Sequence, residues 1–169
     1  ASAADLLALL DHLDSGPAIL VGNSFSAGVA VWAATERPDA VSHIAMIGPF
    51  VRDHDLSFIL KASMQVMFNG PWKVSSWLWF HGTLFTDEKP ADYEQYRARL
   101  KANLSEPGRF GAVQGMMKRS DAAVEARLAD IRVPTLIIMG SQDPDYPDPE
   151  AEAQWIAERV RGQVAIIAD

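Results

Sequence analysis

The chain has 169 residues, 49% of them hydrophobic and 22% charged, which is typical of one globular domain with a buried core and excludes a disordered segment. Its net charge of -7 offers no basic surface for nucleic acid, and the absence of cysteine excludes disulfides and thiolate chemistry. The sequence has no apolar run long enough for a membrane span, so we expect an acidic, soluble protein of the cytoplasm.

The first 50 residues alternate between helical and strand patterns. Apolar residues at helical spacing predict a helix over 3–13. Short apolar runs predict strands at 18–21 and 41–47, and small residues predict a helix that begins near 27 and packs closely between them. This order of elements is typical of a parallel sheet layered with helices.

A serine lies between the first predicted strand and the helix after it, in the stretch Gly22-Asn23-Ser24-Phe25-Ser26. Small residues two positions before and after a serine are typical of a nucleophile elbow, a tight turn that lifts the hydroxyl above the edge of the sheet. The usual pattern is G-x-S-x-G, and Ser26 stands where the second glycine would be. A serine that caps an ordinary helix fits the same residues, so both interpretations stay open at this stretch.

The segment 51–130 has no convincing strand pattern and is predicted to form several helices. A helical insertion between two strands is typical of a lid over the carboxyl edge of the sheet, where open α/β folds bind ligands. Most of its bulky apolar residues fit the core of such a lid. Five of them are also candidates for contacting a substrate: Met67, Trp72, Trp77, Trp79 and Phe80.

Strand and helix patterns return after the helical segment. The run 133–140 predicts a strand, and an acidic, turn-rich loop follows it at 141–149. A helix is predicted over 150–161 and a last strand over 164–168. A second set of parallel elements therefore follows the insertion.

Together these features resemble the α/β-hydrolase fold. The resemblance rests on the elbow serine, the helical insertion and the segment 131–143, and it covers nearly the whole chain. It implies a partial α/β-hydrolase fold, with a parallel sheet of about four strands flanked by helices. The core would comprise 1–50 and 131–169, and the helical lid 51–130.

The resemblance also implies a serine hydrolase that acts on an ester or related acyl bond of a small apolar molecule, with no cofactor and no metal. Ser24 would be the nucleophile, and the amide of Phe25 would donate to the oxyanion. The acid of the catalytic triad maps onto Asp143, and Asp145 in the same loop is the alternative. Either carboxylate also fits a simpler role, in which it caps local amides of the turn.

The catalytic histidine of this fold follows the acid along the chain, but no histidine follows Asp143 in this sequence. All the histidines precede it and are expected to be surface or packing residues: His12, His43, His54 and His81. We therefore expect a fragment of a hydrolase, with the base beyond Asp169 and the second oxyanion donor before Ala1. Its elbow strand would then have an unpaired edge that favours self-association.

Two other classes of function stay open. Hydrolysis of a C–C bond, or cofactor-free haloperoxidase chemistry, would use the same triad. A non-catalytic binding protein on the same scaffold would need none of it, and the missing histidine keeps this alternative open. Ser24 disfavours the dehalogenase and epoxide-hydrolase variants, which resemble one another in having an aspartate nucleophile.

Overall fold

A computed structural model describes residues 2–53, 58–85 and 88–168 of the chain. The chain divides into two compact units, which we call the core unit and the helical unit. The core unit comprises Ala1–Asp53 and Ser120–Asp169, and the helical unit comprises His54–Arg119.

The core unit is built on a parallel sheet. Its described strands lie side by side in chain order: β1 (Ala18–Asn23), β2 (Val41–Ile47), β3 (Thr135–Gly140) and β4 (Gln163–Ile167). All three neighbouring pairs are parallel. The expected parallel sheet of about four strands flanked by helices is therefore confirmed.

The helices alternate with the strands in the core unit and follow one another in the helical unit. Those that the structure describes are α1 (Ser2–Leu13), α2 (Phe25–Glu36), α3 (Phe58–Asn69), α4 (Lys73–Thr83), α5 (Tyr93–Ser105), α6 (Phe110–Met117), α7 (Ala122–Glu125) and α8 (Pro149–Val160), with a 3-10 turn at Leu128–Asp130. None of these described helices combines the length and the apolar character needed to cross a membrane.

One face of the sheet is buried beneath α2 and α8. Alternate strand residues such as Ile44, Met46 and Ile137 are 0–2% exposed and belong to the same hydrophobic cluster as Val31 of α2 and Ile156 of α8. Burying a side chain of this size contributes about 1.5–3 kcal/mol. The small residues of α2 bring the helix close to the strand that precedes it, so this face fixes the start of α2 at the end of β1.

The opposite face of the sheet is exposed along β1 and at the ends of β2 and β4. Ile19 and Val21 are 65% and 66% exposed, and Ile47 and Ile167 are 38% and 55% exposed. Parallel sheets are ordinarily covered on both faces. The described part of the sheet departs from this rule along β1.

The helical unit has its own small core. Phe68 of α3, Leu104 of α5 and Phe110 of α6 are 2–7% exposed, and partly buried side chains of α4 pack around them. Phe68 meets Trp77 and Phe80 edge to face, an arrangement that adds about 0.5–1.5 kcal/mol to the burial of each pair.

The helical unit is shorter than the lid segment 51–130 expected from the sequence. Residues Ser120–Asp130 belong to the core unit because their apolar side chains pack there. Val124 of α7 lies against Gly28 of α2, and Leu128 is fully buried in the core beneath the sheet. Polar residues around these two positions hide this packing from a reading of the sequence.

Candidate active site

Ser24 lies in a tight turn between β1 and α2. Its backbone has φ 51° and ψ -119°, a conformation with positive φ that costs a residue other than glycine about 1–3 kcal/mol. Three backbone hydrogen bonds hold it there. The Ser24 amide donates to the carbonyl of Ile47 (2.9 Å), and the Ser24 carbonyl accepts from the amides of Ala27 (3.1 Å) and Phe50 (3.3 Å).

The turn explains why the sequence tolerates serine at one of the two glycine positions. A Cβ atom at Gly22 would lie 2.6 Å from the Ser26 carbonyl oxygen and 2.7 Å from the Ala27 amide nitrogen, so a side chain does not fit there. Ser26 itself lies in the first turn of α2 and is exposed. The open surface at this position accommodates its hydroxymethyl group.

The geometry of Ser24 also bears on the simpler interpretation of a capping serine. Although Ser24 occupies the N-cap position of α2, its side chain makes no capping hydrogen bond within the described residues. A typical N-cap serine accepts a hydrogen bond from an amide of the first helical turn. The strained turn and the absence of this bond favour an elbow over a cap.

Asp143 lies in the loop after β3, which we call the acid loop (residues 141–148). Its Oδ1 atom accepts the amide N–H of Asp145 at 3.0 Å. Its Oδ2 atom would be 3.1 Å from a Cβ atom at Gly48, so the carboxylate lies against the backbone just after β2. The Ser24 amide is hydrogen-bonded to the carbonyl of Ile47, the residue before Gly48. Ser24 and Asp143 therefore both lie at the carboxyl edge of the sheet.

Asp145, the alternative acid, has a different environment. The pKa of its carboxyl group is raised, first by partial burial of the group and second by the negative charge of Asp143. A triad acid has to stay ionised in order to stabilise an imidazolium. The environment of Asp145 works against this, and the Asp145 amide instead supports the carboxylate of Asp143.

Phe25 is the first residue of α2. The positive end of a helix dipole favours negative charge, and amides at this position point toward the preceding turn. The Phe25 amide therefore belongs to the positive end of α2, next to Ser24.

Tyr146 is a residue of this region that the sequence reasoning missed. It is 6% exposed, and its hydroxyl donates to the carbonyl of Pro49 at 2.7 Å. Its ring meets Phe50 edge to face, with 5.7 Å between the ring centroids. Burial and the surrounding carboxylates, Glu152 foremost, raise the pKa of Tyr146 far above its ordinary value. An aromatic residue inside an acidic turn was the available signal.

The five lid candidates have two kinds of environment. Trp77 and Phe80 pack against Phe68 and against each other, and Met67 is part of the same core. Trp79 and Trp72 are instead 63% and 51% exposed, although the indole N–H of Trp72 donates to the carbonyl of Val66 at 3.1 Å. Exposed tryptophans are the members of the set that have surface to offer a ligand.

Two hollows of the helical unit are lined by other residues. One has a volume of about 360 Å³ between α4 and the start of α6, and the other has about 230 Å³ beside His81, Tyr93 and Tyr96. The imidazole of His81 stacks on the rings of Tyr96 (5.3 Å) and Tyr93 (6.0 Å), and burial lowers its pKa. This environment suits a packing histidine.

Two histidines of the core unit, His12 and His43, lie apart from the elbow. His12 is exposed in the last turn of α1, and His43 is exposed in β2, where it pairs in register with Ile19. Ser24 follows the far end of the neighbouring strand. His54 lies outside the described residues.

The profile of the alpha/beta hydrolase family matches residues 1–169. The chain belongs to this family. The family expected from the elbow, the helical insertion and the segment 131–143 is thereby confirmed.

Individual proteins are similar to this α/β hydrolase over different lengths of the chain. Lipase LipV of Mycobacterium tuberculosis (strain ATCC 25618 / H37Rv) is 41% identical over 51 residues, which is 30% of this chain and 20% of the lipase. Bromoperoxidase from Bacillus anthracis has a similar structure, with a TM-score of 0.80 and 20% identity, and the match covers 98% of this chain and 64% of that one.

Two other hydrolases also have structures similar to this chain. One is 2-hydroxy-6-oxo-6-phenylhexa-2,4-dienoate hydrolase from Rhodococcus sp. strain RHA1, with a TM-score of 0.78, 16% identity and coverage of 98% and 61%. The other is the meta-cleavage product hydrolase CumD of Pseudomonas fluorescens IP01. Its TM-score is 0.71 and its identity 21%, and the match covers 96% of this chain and 60% of that one. At these identities the likeness shows the fold. The α/β hydrolase chain spans about three fifths of the length of these structures.

Proposed function

We propose that this α/β hydrolase chain carries the nucleophile, the acid and one oxyanion donor of a serine hydrolase. Its substrate would be an ester or related acyl compound with an apolar body. The observation that carries the proposal is the strained turn at Ser24, beside the sheet edge at which the Asp143 carboxylate lies against Gly48.

The chemistry assigns one role to each group. A serine hydroxyl is a weak nucleophile, so it needs an imidazole that takes its proton as it attacks the acyl carbon. The Asp143 carboxylate would orient that imidazole and stabilise its protonated form. Because every histidine of the sequence precedes Asp143, the base in this proposal is an imidazole that binds between the two residues, whatever its source.

The oxyanion that forms during attack needs donors that are already in place. The Phe25 amide, at the start of α2, would supply one of them. A single donor of this kind contributes about 2.7–4 kcal/mol to the stability of the transition state. The strained turn suits this arrangement, because the Ser24 side chain makes no capping hydrogen bond to α2 within the described residues.

Two observations support an apolar acyl substrate. The relative with 41% identity over 51 residues is named a lipase. The helical unit also exposes the indoles of Trp72 and Trp79, which are large apolar surfaces of the kind that bind acyl chains. We assign these two residues to substrate contact before Met67, Trp77 and Phe80, which already pack in the core of the unit.

The test is covalent labelling of Ser24 by a fluorophosphonate in the presence of added imidazole. We expect imidazole to accelerate labelling, with the modified peptide containing Ser24. Ser24→Ala should abolish the reaction, and Asp143→Asn should slow its imidazole-dependent part at least about tenfold, as loss of a triad member does. Without imidazole, labelling and turnover of a chromogenic ester should both be slow.

Ser26→Ala is the matched control, because Ser26 is an exposed serine two residues along the same turn. It should react as the unsubstituted chain does. Labelling at another residue, or labelling that Ser24→Ala leaves unchanged, would refute the role of Ser24 and favour a non-catalytic binding protein.

A second candidate function is hydrolysis of a C–C bond or haloperoxidase chemistry with the same groups. The similar structures that bear such names, with TM-scores of 0.71–0.80, favour it. Both candidates share the labelling reaction of Ser24. Comparison of a chromogenic ester with a meta-cleavage dienoate, each supplied with imidazole, distinguishes ester hydrolysis from C–C hydrolysis by which compound is turned over.

A further inference from the structure

We propose that Tyr146 is a positioning residue, which braces the acid loop against the backbone after β2 and so holds Asp143 opposite Ser24. The inference rests on the proposed function, since it assigns Tyr146 a task in that reaction. It is drawn from contacts on both sides of the tyrosine.

On one side, Tyr146 is part of the turn that forms around Asp143. The Tyr146 amide donates to the Asp143 carbonyl at 3.3 Å, and the Asp143 amide donates to the Gly140 carbonyl at 3.3 Å. The Asp145 amide holds the carboxylate itself. These bonds fix the shape of the acid loop but leave its distance from Ser24 undetermined, because they all lie within the loop or its own strand.

On the other side, Tyr146 reaches the segment that holds the elbow. Its hydroxyl donates to the Pro49 carbonyl, 97 residues away in sequence, and its ring packs on Phe50. The Phe50 amide in turn donates to the Ser24 carbonyl. A continuous series of contacts therefore joins Ser24 to Asp143 through Phe50 and Tyr146.

The environment of the hydroxyl suits this task. It is buried, so its bond to Pro49 is protected from competition by water. Because burial keeps the group protonated, it remains a donor throughout the pH range in which a hydrolase works. The bond connects the acid loop, which carries Asp143, with the loop after β2, which lies against Ser24.

Tyr146→Phe removes the hydroxyl and leaves the ring in place. The readout is the rate at which Ser24 is labelled as the imidazole concentration is raised. We expect the imidazole concentration that gives half the maximal rate to rise about three- to tenfold, which corresponds to the loss of one buried hydrogen bond. The maximal rate should change little, because Ser24 and the Phe25 amide are untouched. A loss of fold stability alone would not produce this separation.

Tyr93→Phe is the matched control. Tyr93 is 5% exposed, close to the 6% of Tyr146, and it lies in the helical unit. Tyr93→Phe should leave the half-saturating imidazole concentration unchanged. Phe50→Leu is a second test of the brace, because it keeps the Tyr146 hydroxyl and removes the contact between the two rings. It should also raise the half-saturating imidazole concentration.

Amide hydrogen exchange is an independent measurement that needs no reaction. Tyr146→Phe should accelerate exchange at both Phe50 and Asp145, and Tyr93→Phe should not. If imidazole fails to promote labelling of the unsubstituted chain, the proposed function fails. The exchange rates of the two loops still show whether Tyr146 connects them. Unchanged exchange overturns the brace, and an unchanged half-saturating concentration overturns the positioning role.

Discussion

Ser24 adopts its strained backbone because the residues around it hold both ends of the turn in place. The buried face of the sheet fixes the start of α2 against the end of β1, and the Ser24 amide and carbonyl are both engaged by the strand and loop beside them. The energy that this packing supplies exceeds the roughly 1–3 kcal/mol of strain. Gly22 is the residue on which this balance depends most directly, since its missing side chain is what lets the helix start so close.

Gly22→Ala tests this dependence. The new Cβ atom would lie 2.6 Å from a backbone oxygen, so we expect a loss of about 1–3 kcal/mol in the free energy of unfolding, measured by urea denaturation. Gly115→Ala is the control, because Gly115 lies in the interior of α6 with no atom within 4 Å of the new Cβ. That change should stabilise the chain slightly, by about 0.5–1 kcal/mol. Equal effects of the two substitutions would contradict the account of the elbow.

At the scale of an element, α8 links the acid loop to the buried face of the sheet. The helix begins with Pro149 at its first position and is capped by Asp148, whose carboxylate accepts the Ala151 amide at 2.9 Å. It then buries Ala153, Ile156, Ala157 and Val160 against the core. The end of the acid loop is thus set by the start of a well-anchored helix.

Asp148→Ala should lower the free energy of unfolding by about 1 kcal/mol, the usual contribution of an N-cap. Chemical denaturation measures it, and Asp148→Asn should restore most of the loss because asparagine also caps. Asp92→Ala is the contrasting variant, since Asp92 occupies the N-cap position of α5 without a side-chain capping bond. If both alanine variants are destabilised alike, Asp148 does not act as a cap.

At the scale of the whole molecule, the exposed sheet face and the free edge of β1 are the features with the largest consequence. Among the described strands, β1 pairs with β2 alone, so its outer edge presents unpaired backbone groups. Ile19 and Val21 add exposed apolar surface to the same strand. Such a strand is a template for pairing with another chain.

We therefore predict that the 169-residue chain self-associates through β1. Size-exclusion chromatography with light scattering should give a mass above that of the monomer, and Val21→Lys should lower it, because a lysine on an edge strand opposes pairing. Ile59→Lys is the control, since Ile59 is 79% exposed but lies on α3. A stable monomer, or equal effects of the two lysines, would refute the prediction.

The sequence by itself determined the elements and the order in which they follow one another. The apolar runs of β1 to β4 and the small residues around Ser24 act over a few neighbouring positions, so their patterns can be read without knowledge of distant contacts. The position of Asp143 after β3 was predictable for the same reason. The resemblance to α/β hydrolases rested on these local patterns and their spacing.

The tertiary structure decided which distant residues meet. Tyr146 and Pro49 are 97 residues apart, and neither has a pattern that predicts their hydrogen bond. The assignment of Val124 and Leu128 to the core, and the difference between core Trp77 and exposed Trp79, likewise depend on how each element is rotated against its neighbours. That rotation is set by close packing among many side chains at once, which residue types along one chain do not specify.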